Sequence, residues 1–146
     1  MDKIRVRLLR STSKLPTYSS KSAAGADIYA DIEDILAIPP HSTAFVPSGF
    51  ALEIPDGYVG LVCARSGLAS RRGLAPANKI GVIDSDYRGE VTVAIHNHGT
   101  ETACIEAGER IAQLLIVPVA TPGFEAAEVL SDTERGAGGF GSTGRT

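Results

Sequence analysis

The chain has 146 residues and a formal net charge of −3. That length suits one ordinary domain with a tail, burying about two thirds of its unfolded surface, and the mildly acidic balance excludes the broad basic face that duplex binding requires. No apolar run approaches the roughly 20 residues that cross a bilayer, so neither nucleic acid nor membrane is expected as a partner.

The opening MDKIRVRLLR alternates charged residues with Ile4, Val6 and Leu8, a strand pattern and not the apolar block of a signal peptide. A soluble, intracellular, cytoplasmic protein is therefore expected. Turn formers then recur at short intervals: Pro39 with Pro40, Pro47 with Gly49, Pro55 to Gly57, Asn97 to Gly99, Gly108, Pro118, and Pro122 with Gly123. The β-branched and apolar stretches between them predict strands at 43–46, 58–63, 90–95 and 111–117, the third alternating Val91, Val93 and Ile95 against Thr92 and Ala94. Many short strands mean an all-β sandwich or barrel. The one predicted helix is brief, SGLASRR at 66–72, with a capping hydroxyl at its start and Gly73 as its stop. The last dozen residues, RGAGGFGSTGRT, abandon the apolar pattern and read as a flexible tail. Cys63 and Cys104 lack the paired spacing of a zinc or redox motif and are expected as buried, reduced thiols. His96 and His98 share one strand face but have no third ligand nearby, which favours a surface or interface pair over a metal site.

A small anionic ligand remains compatible with this composition, because a few local donors are enough to hold a triphosphate. Arg65, Ser66 and Gly67 offer a guanidinium fork, a hydroxyl and open backbone N–H groups where the helix starts. In NKIGVIDSDYRGE, a carboxylate at Asp84 or Asp86 could take a proton from water, and Tyr87 could lie flat against a sugar or base. The tail adds Arg135, Phe140, Ser142 and Thr143 among glycines, a segment able to close over a ligand. Taken singly, these segments fit a capped loop, a hairpin turn and a linker equally well.

Five motifs, in order, change that balance: SAAGADIYA at 22–30, ARSGLA at 64–69, GVIDSDYRGE at 81–90, GERIAQLLIVPV at 108–119 and RGAGGFGSTG at 135–144. Through them the chain resembles the trimeric deoxyuridine triphosphatase (dUTPase) family across nearly its full length. The resemblance implies a distorted jelly roll of the β-clip type at 1–130, with a glycine-rich arm at 131–146. It implies a homotrimer with three sites at subunit boundaries, each covered by a neighbour's arm. The implied reaction is Mg²⁺-dependent hydrolysis of dUTP to dUMP and pyrophosphate, with water attacking the α-phosphorus in line.

The roles carry over by position. Asp84 matches the acid that orients and deprotonates the water, and Asp27 the first-motif acid that supports a largely substrate-borne Mg²⁺ through water. Arg65, Ser66, Gly67 and Gln113 match the phosphate binders. Tyr87 matches the aromatic under deoxyribose that excludes a 2′-hydroxyl, and Asn78 with the backbone of Gly81, Val82, Ile83 and Asp84 matches the hairpin that reads the uracil edge. Phe140 matches the aromatic that covers the base, while Arg135, Gly141, Ser142 and Thr143 match the clamp on the distal phosphate. Two positions depart from the family pattern: Ala64 stands where a proline is usual, and Lys79 where a small or apolar residue is more common. A deaminase of deoxycytidine triphosphate with the same fold is disfavoured by GVIDSDYRGE, and a nucleotide-gated regulatory module by the intact catalytic positions.

Overall fold

A computed structural model describes residues 3–139, and the expected tail residues Phe140, Gly141, Ser142 and Thr143 lie outside them. Twelve strands and one helix follow in order: β1 (Arg5–Leu8), β2 (Thr17–Tyr18), β3 (Ala26–Tyr29), β4 (Leu36–Ile38), β5 (Thr43–Pro47), β6 (Phe50–Glu53), β7 (Tyr58–Cys63), α1 (Ser66–Arg72), β8 (Leu74–Pro76), β9 (Gly81–Ile83), β10 (Thr92–Asn97), β11 (Ala103–Ile105) and β12 (Arg110–Pro118). All pairings are antiparallel. The largest sheet runs β2-β3-β12-β7-β9, a second runs β5-β10-β8, and β1-β6 and β4-β11 form two-stranded ribbons.

The alternation read from the sequence sets the core. Val93 and Ile95 of β10 point inward with Asn97, while Thr92, Ala94 and His96 point outward, and the inward set meets Ile28, Ile38, Phe50, Leu74 and Ile111, all fully buried. β12 departs from strict alternation because the register shifts between Arg110 and Ala112, a bulge that lets Ile111 and Ala112 both face the core. Asn97 is fully buried but satisfied. Its Nδ2 donates to the carbonyls of Ile38 (2.9 Å) and Glu101 (2.8 Å), and its Oδ1 accepts from the Gly99 N–H (2.9 Å).

The helix has the expected span, and Gly73 ends it in the left-handed conformation at φ 64°, its N–H reaching the Ala69 carbonyl. Its start differs from expectation: Arg65 occupies the N-cap and no side chain caps the first turn. The thiols differ as well. Cys63 is half-buried and Cys104 exposed, because Cys104 sits on the outward face of a three-residue ribbon strand whose neighbour Ile105 takes the inward position. Beyond β12, residues 119–139 form no helix or strand.

Candidate active site

The segment that follows β9 folds back on itself through short-range bonds. Buried Ile83 anchors the end of the strand, Asp84 emerges exposed, and its carbonyl accepts from the Tyr87 N–H at 3.2 Å. Arg88 steadies the turn by donating to the carbonyls of Ser85 (2.6 Å) and Tyr87 (3.0 Å). The Tyr87 hydroxyl donates to the Glu90 carbonyl at 3.0 Å, laying the ring over Gly89. A Cβ at position 89 would stand 2.4 Å from the Tyr87 hydroxyl oxygen, so the ring takes this pose only above a glycine. The Asp84 carboxylate makes no hydrogen bond among the described residues.

Beside this turn lies a cavity of about 280 Å³ lined by Asn78, Gly81, Val82, Ile83, Asp84 and Tyr87, together with Val62, Glu90 and the strand from Val91 to Ala94. β9 is the last strand of its sheet and pairs with β7 along one edge alone, so its other edge presents unpaired N–H and C=O groups. Gly81 brings this backbone close to its neighbours: a Cβ there would sit 3.2 Å from Val62 Cβ and 3.3 Å from Asn78 Nδ2. Lys79, in the turn before β9, adopts the left-handed region at φ 65° and is exposed, as expected of a side chain directed to solvent.

A second group gathers where β3, β12 and β7 run side by side, with Gln113 in register with both Asp27 and Cys63. The Asp27 carboxylate is buried and receives two guanidinium groups, Arg65 Nε at 2.7 Å on Oδ1 and Arg110 Nη1 at 3.2 Å on Oδ2. Holding Arg65 by Nε leaves its two terminal nitrogens for another acceptor. Gln113 Nε2 donates to the Ala64 carbonyl at 2.9 Å, so the residue that replaces a proline supplies a backbone acceptor. A Cβ on Gly25 would lie 2.4 Å from Gln113 Oε1, which explains the glycine there. Ser66 and Gly67 lie exposed next to Arg65, and a Cβ added to Gly67 would meet nothing within 4 Å.

The expected residues thus fall into two groups: Asn78, Gly81, Val82, Ile83, Asp84 and Tyr87 around one cavity, and Asp27, Arg65 and Gln113 with Ser66 and Gly67 around a buried carboxylate. None of the second group lines the cavity. Arg135 lies in the exposed segment and bonds locally, its Nε to the Gly138 carbonyl at 2.9 Å. Sequence reasoning missed Arg110, although it stands inside the fourth motif, and Glu90, which closes the third. Both are charged residues next to a buried residue, Ile111 and Val91 respectively, a signal that they have partners to satisfy. Away from both groups, His96 and His98 meet edge-on at 4.5 Å, and His96 Nδ1 lies 2.9 Å from the Thr43 hydroxyl.

Comparison with known proteins gives a consistent picture. A dUTPase family model matches residues 11–144. The chain is 48% identical over 145 residues to the deoxyuridine 5'-triphosphate nucleotidohydrolase of Desulfitobacterium hafniense, covering 97% of this chain and 96% of that one. It is 43% identical to the enzyme of the same name from Anaplasma marginale, covering 97% and 99%. Among solved structures, the dUTPase of Staphylococcus bacteriophage 80alpha with dUPNHPP superposes with a TM-score of 0.90 at 32% identity, covering 99% of each chain. A variant dUTPase from phage phi11 of Staphylococcus aureus, described as coordinating a structural Mg(II) ion, matches with a TM-score of 0.81 at 28% identity, covering 90% of this chain and 100% of that one. The sheets described above therefore form the distorted jelly roll expected from the sequence. With a family model spanning nearly its whole length and relatives of closely similar extent, the chain belongs to the dUTPase family.

Proposed function

We propose that this protein hydrolyses dUTP to dUMP and pyrophosphate, removing dUTP from the nucleotide pool and supplying dUMP for thymidylate synthesis. The observation that carries the reading is the cavity that Asp84, whose carboxylate makes no hydrogen bond among the described residues, lines together with Tyr87 and the edge strand β9. The edge of β9, with Asn78, offers the donors and acceptors needed to pair with a uracil edge. Tyr87 forms the wall against which deoxyribose packs, and a 2′-hydroxyl would lack room there. Asp84 accepts the proton of the attacking water, a task suited to an exposed carboxylate with no internal hydrogen bond. The free ends of Arg65, with Ser66, Gly67 and Gln113, bind the phosphates of the departing pyrophosphate.

The reading includes Mg²⁺ carried by the substrate. Among the described residues no group of three or more His, Cys, Asp or Glu side chains could hold a metal, which fits an ion ligated mainly by the triphosphate. Each oxygen of Asp27 accepts one guanidinium bond and keeps a lone pair for a metal-bound water. When bound, Mg²⁺ neutralises negative charge on the triphosphate.

The working form in this reading is a homotrimer with exchanged arms. The separation of the two residue groups supports it, since none of the phosphate-binding group lines the cavity and a neighbouring copy that brings its own group to the cavity would complete one site. Segment 119–130 supports it as well: Phe124 is 100% exposed, Val129 85% and Leu130 81%, apolar surface that a neighbouring copy would cover. Arg135, Phe140, Gly141, Ser142 and Thr143 then close over the neighbour's ligand. No described helix is long and apolar enough to cross a membrane, and a cytoplasmic location accords with a nucleotide substrate.

The test is pyrophosphate release from dUTP, dTTP, dCTP and UTP, with Mg²⁺ and with chelator, alongside mass photometry. Selective Mg²⁺-dependent turnover of dUTP by a trimer is the expected result. Ammonia release from dCTP, or no turnover of any of the four, would reject the proposed reaction, and a stable active monomer would reject the shared site.

A further inference from the structure

The turn that carries Tyr87 is tied to the rest of the domain by a charged chain that runs from Glu90, at the cavity, to residues given no role above. Glu90 follows the turn, and its backbone carbonyl is the acceptor for the Tyr87 hydroxyl. Its side chain is held from two sides. Oε1 accepts the Gly49 N–H at 2.8 Å, and the Arg10 guanidinium spans both carboxylate oxygens, with Nη1 3.4 Å from Oε2 and Nη2 in contact with Oε1. Arg10 is fixed in turn by Asp31, whose Oδ2 accepts from Nε at 2.7 Å. The Asp31 side chain is 5% exposed and also accepts from the hydroxyls of Thr12 (2.6 Å) and Ser13 (2.8 Å). Leu9 N–H bonds to the Gly49 carbonyl at 2.8 Å, which brings the end of β1 and the β5–β6 turn together at this point.

Geometry restricts this junction closely. Gly49 takes φ 76°, and a Cβ there would lie 2.1 Å from Asp31 Oδ2 and 2.2 Å from Ser13 Oγ. The remaining backbone ties at the base of the turn are Val91 N–H to the Phe50 carbonyl (2.9 Å) and Ser48 N–H to the Val91 carbonyl (3.1 Å). The first of these N–H groups shares one planar peptide with the Glu90 carbonyl that holds Tyr87, so the bond to Phe50 tethers that peptide at its far end. The Glu90 side chain, held by Gly49 and Arg10, tethers the near end of the same peptide at its Cα, so the direction of the Glu90 carbonyl, and with it the tilt of the Tyr87 ring, rests on the two ties together. A bidentate guanidinium is the side chain best suited to hold a carboxylate in one orientation.

We infer that Arg10, clamped by Asp31, is a positioning residue that acts through Glu90 to set the tilt of Tyr87 and so the enzyme's discrimination between deoxyribose and ribose. This rests on the reading of the cavity as the dUTP site. The network touches neither the phosphate-binding cluster nor Asp84, so its loss acts on sugar fit and leaves the chemical step largely alone.

The decisive variant is Glu90→Gln, which keeps an acceptor for the Gly49 N–H and leaves the Arg10–Asp31 pair intact while removing the carboxylate fork. Turnover of dUTP and UTP is measured for the wild type, Glu90→Gln, Arg10→Gln and Arg10→Lys, with circular dichroism to establish folding. The ratio of kcat/KM for dUTP over UTP is expected to fall about tenfold in Glu90→Gln and Arg10→Gln, the low end of what a misfitted group in a pocket changes. KM for dUTP rises while kcat stays within about twofold of wild type, and Arg10→Lys, which keeps the charge but loses the fork, falls between. A purely structural role would lower the melting temperature and leave the ratio unmoved. A folded Glu90→Gln with a ratio within about twofold of wild type overturns the inference. If Glu90→Gln does not fold, Arg10→Gln decides by the same ratio, and failure of both to fold assigns the network to the scaffold and also overturns it. A wild type that shows no selective turnover of dUTP would instead reject the functional reading on which the inference stands.

Discussion

Asp27→Asn changes one oxygen to an amide at the point where β3, β7 and β12 meet, and the surroundings indicate its effect. Asparagine keeps one acceptor oxygen, enough for Arg65 or Arg110 but not both, and turns an N–H₂ group toward the other guanidinium. Breaking a fully buried ion pair by removing one partner costs about 3–5 kcal/mol. Here the carboxylate is 9% exposed but the side chains of Arg65 and Arg110 are 27% and 49% exposed, so solvent screens much of the loss and about 1–2 kcal/mol is the expected drop in stability. The functional loss is larger relative to that change, because Arg65 freed at Nε no longer aims its terminal nitrogens at one point. A fall in kcat/KM of about 10–100-fold is expected, by analogy with misplacing a positioned group by about 1 Å. Thermal unfolding followed by circular dichroism checks the first figure, and pyrophosphate release at a series of Mg²⁺ concentrations checks the second. If Asp27 acts by orienting Arg65, saturating Mg²⁺ does not restore turnover. Full rescue by Mg²⁺ would refute this account and give Asp27 over to metal support alone. Wild-type activity in a folded Asp27→Asn protein would refute both.

Asp84→Asn is expected to lower kcat by about 10²–10⁴-fold, the usual worth of a positioned general base, while a non-hydrolysable dUTP analogue still binds in calorimetry. Gly49→Ala places a methyl group within 2.1 Å of Asp31 Oδ2 at a φ of 76° and should cost about 1–3 kcal/mol from backbone strain alone, read as a lowered melting temperature. For Asp31, burial opposes ionisation, but hydrogen bonds from Thr12, Ser13 and Arg10 outweigh it and hold its carboxyl below the usual value of 3.8. A depressed folded pKa means that this stabilisation is complete above 3.8 and is lost as pH falls from there toward the folded value. The difference in melting temperature between wild type and Asp31→Asn should accordingly be constant near neutral pH and shrink below about pH 4. A difference that grew on acidification would contradict the assignment.

Legibility in the sequence followed the length of each element. β7 begins at Tyr58 and ends at Cys63, as its run of apolar residues predicted, and β5, β10 and β12 differ from expectation only at their ends. Strands of two or three residues, such as β2, β4, β8, β9 and β11, are too short to show any period. β2, β8 and β9 exist because a longer neighbour offers an edge, and β4 and β11 because each pairs with the other, and both are tertiary facts. The span of the helix was legible, its end from Gly73, whose left-handed φ only glycine adopts without strain, whereas the capping was not, since Arg65 holds the N-cap position and turns its side chain to Asp27. For the site, several residues picked out by motif order line one cavity, but the pairing of Arg110 with Asp27 depends on the register of β3 with β12 across more than 80 positions. Spacing within one motif carries no trace of that. The linkage from Arg10 to Glu90 is hidden for the same reason, |i−j| being 80.

The placement of β9 at a sheet edge has an evolutionary corollary. A base read by main-chain N–H and C=O groups is recognised by atoms that every amino acid except proline supplies. On the proposed reading of the site, Val82, 65% exposed at the middle of this three-residue strand, can change identity without altering which base is chosen, provided the strand keeps its backbone path. Selectivity in that reading is stored in the fold and shielded from drift in side-chain sequence, while the glycines at 81 and 89, where an added Cβ would crowd its neighbours, are the positions at which drift would be felt.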